Sequence, residues 1–374
     1  MTYLDNSATT YPKPECVYKA LDFANRNLAF NSGRGLYKES KMASEILDKA
    51  RMSVASLVNT EANNVVFLSS ATEALNIIIN GLDFADGDNV YLSPFEHNAI
   101  VRPLYNILKN TNINIRIIPF DKETWQLNEE KLKNLFALYP PKAVFISQIS
   151  NVTGFALPYK DIFVLSKRYP CINVLDSAQS FGVFNPSINN IDYIVFAGHK
   201  SLYASFGIAG FINLNGGVLK ITKSGGTGSD SLNHEMPKGG FERYESGSEN
   251  VVAAYGLIES IKWLKQTNVY DIEEDLVKYL LRQLELLKNV RIYLPRNVNI
   301  MGIVSFNVDG YKPQDVGTIL GNEFDICVRT GFHCAPFVHE FLGTERLGGT
   351  VRVSVGAFNT KKDIDTLINA LKTL

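Results

Sequence analysis

Cysteine is scarce in this chain: Cys16, Cys171, Cys327 and Cys334 are the four in 374 residues. They form no CxxC pair and are too scattered for a disulfide framework. Neither sign of charge is in excess, with Lys+Arg at 37 against Asp+Glu at 38. That balance removes the electrostatic reason to expect nucleic acid or an anionic membrane as a partner. Long apolar runs are missing too, and nothing approaches the ~18 residues of a membrane span. The opening MTYLDNSATT has no basic flank followed by an apolar stretch, so no signal peptide is read and a cytosolic location is the expectation. Internal repeats and low-complexity tracts are absent. What remains is an ordinary globular composition, 45% hydrophobic and 20% charged, in a length that implies two domains.

From Val65 to about Leu214 short apolar runs alternate with helical patterns. VVFLSS precedes ATEALNIIINGL, NVYLSP precedes HNAIVRPLYNILKN, and IRIIPF precedes NEEKLKNLFALY. AVFISQIS leads to YKDIFVLSKRY, and INVLDSAQ, IDYIVFAG and IAGFINL follow. Uniformly apolar strands joined by helical crossovers predict a mostly parallel sheet covered on both faces, an α/β doubly wound domain. Residues 223–250, rich in Gly, Ser and charge, read as a long loop. A helix-rich stretch and a βαβ-like tail follow, with strands IVSFNV, DICVRTG and TVRVSVG and a closing helix from Lys361. The expected division is a large domain over 16–250 and a smaller α+β domain over 251–374, the latter joined by the segment 1–15.

Ligands of such sheets collect beyond the carboxyl ends of the strands, and four polar clusters fall there. SSATEALN (Ser69–Asn76) opens a helix whose first turn can seat a phosphate, although a capping Ser70 or Thr72 explains it equally well alone. Asp176 ends a strand in LDSAQS, where a carboxylate needs a cation or several hydrogen bonds. His97 follows a strand in FEHNA, and Lys200 follows one in GHK. Alone, each has an ordinary structural explanation: a cap, a satisfied histidine, a solvated turn. Together they meet the needs of pyridoxal 5'-phosphate: an amine to condense with its aldehyde, an acid for its ring nitrogen, an anion seat and a flat group over the ring. Lys200 would be the amine, helped by burial. Asp176 would be the acid, Ala71 and Thr72 with His199 the phosphate seat, and His97 the stacking group.

The motifs resemble those of class V, fold-type I pyridoxal phosphate enzymes, and among them cysteine desulfurases. LDNSATT, ATEALN, EHNA, SNVTG, DSAQ, GHK, ESGSEN, RTGFHCAP and VRVSVGAFNT recur in that family's order over nearly the whole chain. The resemblance implies that Asn151 lies near the substrate carboxylate and the cofactor's phenolic oxygen. It also implies that Gln179 bonds that oxygen and that Arg352 clamps the substrate carboxylate, as a guanidinium does well. A surface arginine on an edge strand is the plain alternative for Arg352. Two departures stand out. Ala197 occupies a position where relatives often carry a phosphate-binding hydroxyl, a loss of ~1.5–3 kcal/mol if nothing replaces it. Ser248 stands in SGS for the family's SGT and keeps its hydroxyl; in relatives that residue reaches the partner subunit's phosphate, which implies a symmetric homodimer.

Cys334 separates a desulfurase from other chemistries on this scaffold. In that reading its thiolate attacks the sulfur of L-cysteine, leaving alanine and a persulfide. A nearby cation or imidazole should hold it deprotonated, and Arg329 and His333 are close in sequence, with His97 a candidate proton carrier. Without the resemblance Cys334 reads as a buried thiol, like the three other cysteines. A metal site of His333, Cys334 and His339 matches no standard spacing, and none is expected. Alternatives within enzymes are a selenocysteine lyase, a cysteine sulfinate desulfinase or another class V lyase or aminotransferase. Outside enzymes the alternative is a non-catalytic scaffold. The short cysteine segment resembles desulfurases that work with an activating, sulfur-accepting protein.

Overall fold

The computed structural model describes residues 1–33, 35–228, 232–295 and 298–374. Strand β1 (Thr2–Tyr3) leads to helices α1 (Glu15–Asn27) and α2 (Lys38–Ala55). The alternating region follows as β2 (Val65–Leu68), α3 (Ala71–Gly81), β3 (Asn89–Leu92), α4 (Asn98–Ile107), β4 (Asn114–Ile117), α5 (Glu129–Leu138), β5 (Pro141–Ser147), α6 (Tyr159–Ser166), β6 (Ile172–Asp176), β7 (Tyr193–Ala197) and β8 (Ala209–Asn213). Long helices α7 (Val251–Gln266) and α8 (Val269–Leu284) precede β9 (Val290–Ile292), β10 (Ile303–Val308), α9 (Pro313–Phe324), β11 (Ile326–Cys327), β12 (Arg329–Gly331), α10 (Pro336–Leu342), β13 (Thr350–Ser354) and α11 (Lys361–Leu371). No helix among the described residues is long and apolar enough to cross a membrane.

The large sheet runs β2-β8-β7-β6-β5-β3-β4. Its pairs from β7 through β4 are parallel, and β8 is antiparallel to both β7 and β2. The reversals at β8 leave β2 pointing the same way as β7. The carboxyl ends of β2, β3, β5, β6 and β7 therefore share one edge. Every residue of β2 and β7 is buried, which is why these runs are apolar without alternation. Phe196 shows the packing: it stacks on Phe181 at 5.5 Å and meets Phe67 edge-on at 6.4 Å. Burying such a ring stabilises the sheet by about 1.5–3 kcal/mol.

The tail differs from the βαβ expectation. Its sheet, β12-β13-β10-β9, is antiparallel throughout. DICVRTG is also two strands rather than one. Ile326 and Cys327 pair in parallel with Thr2 and Tyr3, while Arg329–Gly331 pairs with β13. A separate core, including Leu276, Leu280, Phe306, Val353 and Leu367, lies around this sheet. Helix α7 packs on α1 and α2, and its Ala254 and Leu257 belong to the core of the large sheet. The segment 223–250 is loop apart from one 3-10 turn, Phe241–Arg243, and residues 229–231 of it lie outside the described set. Cysteine burial is less uniform than expected: Cys171 is buried, but Cys16 and Cys327 are half-buried and Cys334 is exposed.

Candidate active site

The shared edge builds a narrow cleft, with a cavity volume of about 40 Å³, lined by Ala71, Thr72, His97, Asn151, Asp176, Gln179 and Lys200, among others. Lys200 is presented by a tight loop. Gly198 follows β7 so closely to the start of β8 that an added Cβ would lie 2.4 Å from the Ile208 carbonyl oxygen. The Gly198 N–H donates to that same oxygen at 2.9 Å, and Ala204 N–H returns to Gly198 O at 2.8 Å. The amino-terminal segment straps the loop. Thr10 N–H and Lys13 Nζ donate to His199 O, at 3.1 and 2.7 Å, and Thr10 Oγ1 donates to Lys200 O at 3.1 Å.

Burial lowers the Lys200 pKa; Asp176 opposes this, and Arg352 and Arg329 reinforce it. Asp176 is the register neighbour of Val195 on β7, and it lines the same cleft as Lys200. Burial raises the Asp176 pKa, against the pull of the Ala178 N–H on Oδ1 at 2.9 Å and of Lys200. A cationic ring nitrogen is the partner that such a desolvated carboxylate lacks. His97 caps α4, its Nδ1 accepting from Ala99 N–H at 3.0 Å. That bond puts the imidazole proton on Nε2, and burial, with Lys200 and Arg352 nearby, lowers the pKa to about 3. His97 is therefore neutral at ordinary pH and ill suited to collecting a second proton. Ser70 caps α3 by accepting from Glu73 N–H, while Ala71 and Thr72, whose N–H groups precede any intrahelical acceptor, line the cleft. The Ser70 cap therefore does not exclude an anion seat at Ala71 and Thr72.

His199 stacks on Phe206 with ring centroids 4.5 Å apart, and its Nδ1 is buried without a partner. Burial, then Lys200 and Lys13, lowers its pKa to about 4. Uncommitted N–H groups at Ala71 and Thr72, a depressed amine and a desolvated carboxylate on one cleft, with the orphaned His199 Nδ1 next to Lys200 in the chain, fit a phosphorylated, aldehyde-bearing pyridine. Ser248 is exposed and lies outside this cleft, near Ser69, Glu73 and Lys223.

Arg352 sits on β13, inside the sheet between β12 and β10, and is buried. It is not the edge-strand surface arginine. Its guanidinium donates to Asn151 O at 2.8 Å and to Asp5 Oδ1 at 2.8 Å, and its Nε is buried without a partner. The Gln179 amide donates to Ser7 O at 3.0 Å, and the Asn151 amide donates to His333 O at 2.7 Å. Gly154 ends the SNVTG turn at φ +73, where a Cβ would lie 2.5 Å from Ile303 O. Only glycine lets this turn touch the small sheet.

Cys334 is exposed on a loop whose His333 and Cys334 both adopt left-handed backbone, φ 46 and 57. Such conformations cost on the order of 1–3 kcal/mol each. Asn98 N–H to Cys334 O at 2.7 Å and the Asn151 amide to His333 O hold them. Cys334 is close enough to Lys200 and Arg352 to act on both charges. The expected help from His333 is corrected. His333 is buried, its Nε2 lies 3.1 Å from Thr350 O, and its pKa is well below the usual histidine range. It is no cation. Arg329 Nε is committed to Asp5 Oδ2 at 3.1 Å.

Several residues of the site escape sequence reasoning. Glu96 is fully buried and accepts from Ser93 Oγ at 2.5 Å, Ser147 N–H at 2.9 Å and Ser147 Oγ at 2.7 Å. Tyr203, at φ 55, donates to Glu273 at 3.0 Å and accepts from Ala357 N–H at 2.8 Å, joining the Lys200 loop to α8 and the turn after β13. Asp5 was visible only as part of a matched motif. Burial pushes the Glu96 carboxyl up to about 7, with the serine hydrogen bonds opposing. From about pH 4.5 to 7 an unfolded glutamate has lost its proton and the native one has not, so stability falls as pH rises. The loss is complete above the native pKa and amounts to about 3 kcal/mol. Glu96→Gln should therefore shrink the drop in Tm between about pH 5 and pH 8 by about 5 °C. A variant with the wild-type pH dependence would clear Glu96 as its cause.

The profile of the aminotransferase class-V family matches residues 2–367. The chain belongs to that family. Within it, the chain is 31% identical to a probable cysteine desulfurase of Pyrococcus abyssi, covering 100% of this chain and 94% of that one. It is 28% identical to a cysteine desulfurase of Escherichia coli, covering 100% and 93%. The apo cysteine desulfurase of Thermococcus onnurineus superposes on this class-V chain with a TM-score of 0.91 at 29% identity, covering 100% and 95%. Membership in this family implies pyridoxal phosphate chemistry, the need already read from the four strand ends.

Proposed function

We propose that this chain is a pyridoxal-phosphate-dependent cysteine desulfurase, converting L-cysteine to L-alanine and holding the sulfur as a persulfide on Cys334. The observation that carries the reading is the meeting of Lys200, Asp176 and His97 on one cleft, with Cys334 near enough to act on the Lys200 charge. When bound, the cofactor supplies an aldehyde for the amine and a cationic ring that draws electrons from the substrate's α-carbon.

The chain's own groups do the rest. Lys200, its amine held below the ordinary lysine range, is free to condense and to take a proton from the α-carbon. Asp176 would accept from the ring N–H, His97 would stack on the ring, and Gln179 and Asn151 would offer amide groups. His199 Nδ1 and the Ala71 and Thr72 N–H groups would hold the phosphate, with Ala197 withholding one hydroxyl. Arg352 binds the α-carboxylate through its unpaired donors. At Cys334 an S–S bond forms as the substrate's C–S bond breaks, the bonding pair staying on carbon, which ends protonated as alanine. The thiol is oxidised to persulfide, and the substrate carbon is reduced.

The proposal extends to a symmetric homodimer in which Ser248 reaches the partner's phosphate, to a sulfur-accepting protein and to a cytoplasmic location. It also divides the chain near 250 into large and small domains, with α7 packed on the large one. Incubating the purified holoprotein with L-cysteine and reductant should release alanine in step with sulfide. No alanine, even with sulfur acceptors present, would overturn the reading. Selenocysteine and cysteine sulfinate run alongside decide between desulfurase, lyase and desulfinase.

A further inference from the structure

Antiparallel pairing of β12 and β13 sets Arg329 directly opposite Arg352. Like charges facing across strands repel, and Arg352 is buried, with a side chain only 3% exposed. The sheet itself supplies no acid to this pair. The acid comes from the other end of the chain. Asp5 divides its carboxylate, Oδ1 accepting from Arg352 at 2.8 Å and Oδ2 from Arg329 Nε at 3.1 Å.

Asp5 is itself held. It bridges to Ser354 in parallel, the Tyr3 hydroxyl donates to its carbonyl at 3.1 Å, and Leu4 on its amino side bonds Cys327 O at 2.9 Å and accepts from Ser354 N–H at 2.7 Å. The chain of contacts continues from Arg352 to Asn151 O, and from the Asn151 amide to His333 O, next to Cys334. Two guanidiniums and one carboxylate leave one net positive charge, and the buried Arg352 Nε keeps an unused N–H.

We propose that Asp5 is the positioning residue of the carboxylate-binding arginine: it fixes the plane of Arg352 and cancels Arg329, so that the site offers one positive charge to one α-carboxylate. This rests on the desulfurase reading, in which Arg352 holds the substrate. Without Asp5, two facing arginines carry an unbalanced second charge. Small anions then occupy the site, and the guanidinium plane is lost.

For Asp5→Asn holoprotein in about 0.1 M chloride, KM for L-cysteine should rise about tenfold with kcat changed less than about threefold. Replacing chloride by gluconate should reverse most of that rise, while the wild type stays indifferent to the anion. L-alanine binding, followed by calorimetry, should weaken in parallel. Asp5→Glu, which keeps the charge, should stay insensitive to chloride. Arg329→Gln, at a half-exposed site, provides a second test that does not depend on the folding of Asp5→Asn. It leaves Asp5 and Arg352 mutually neutralised, so KM should rise about tenfold without chloride sensitivity. An unchanged KM in both variants, a fall in kcat alone, or indifference of Asp5→Asn to chloride overturns the proposal. A wild type that makes no alanine refutes the desulfurase reading instead, before any variant is compared.

Discussion

Lys200→Ala should give a folded protein that makes no measurable alanine from L-cysteine, a loss of at least about 10³-fold. The size follows from two roles vanishing together: the amine that condenses with the cofactor, and the base that takes the α-proton. No neighbour can replace it. Lys13 is a second, half-buried amine, its pKa lowered by burial to about 7, but its Nζ is held by Thr10 Oγ1 at 2.6 Å and His199 O at 2.7 Å. Stability should not suffer, because burial already disfavours the Lys200 charge and alanine removes that penalty. The check is borohydride reduction followed by peptide mass analysis. The wild type should carry the cofactor on the peptide containing Lys200, and the variant should carry none. An adduct on another lysine, or a variant retaining a tenth of the activity, would remove Lys200 from its assigned place.

Cys334→Ala separates the sulfur step from the cofactor. It should bind pyridoxal phosphate as the wild type does yet lose alanine formation by about 10²–10³-fold, with no persulfide on the intact protein. Cys334 is exposed, and alanine tolerates φ 57 no worse than cysteine. The loop's anchors, Asn98 N–H to Cys334 O and the Asn151 amide to His333 O, involve main-chain atoms of the loop and survive the substitution. Stability should therefore stay within about 0.5 kcal/mol, and any loss of activity reads as lost chemistry. Intact-mass measurement after L-cysteine should show a gain of one sulfur in the wild type and none in the variant. Continued turnover of selenocysteine by Cys334→Ala would move the assignment to a lyase.

Much of this site was legible because of where strands end. Asp176 ends β6 and Lys200 closely follows β7, its parallel neighbour, and parallel strands deliver the residues at and beyond their ends to the same edge. His97, Asn151, Ala71 and Thr72 arrive there by the same rule. Glu96 was not legible: a glutamate after a strand looks solvated, and its burial requires Ser147 from β5 to lie against it. His333 looked like a cation beside Cys334 for the opposite reason. Closeness in sequence suggested an effect that burial, with Arg352 brought near from another strand, takes away, against the opposing pull of Thr350 on its ring. DICVRTG read as one strand because its apolar residues run together. The break appears only because β1 claims Ile326 and Cys327 while β13 claims Arg329–Gly331.

The amino-acid order by itself determined the alternation of buried strands and helices, and hence the edge on which Lys200, Asp176 and His97 meet. That follows because hydrophobic period and crossover length are local properties, and sheet handedness converts them into a common direction. The antiparallel tail and the use of Asp5 between two facing arginines were decided only by tertiary structure. So were the neutrality of His97 and His333 and the strapping of the Lys200 loop by Thr10 and Lys13. Each depends on the desolvation of a group and on the partner that reaches it, and both are set by residues distant in the chain that are brought together only when the two ends of the polypeptide fold against each other.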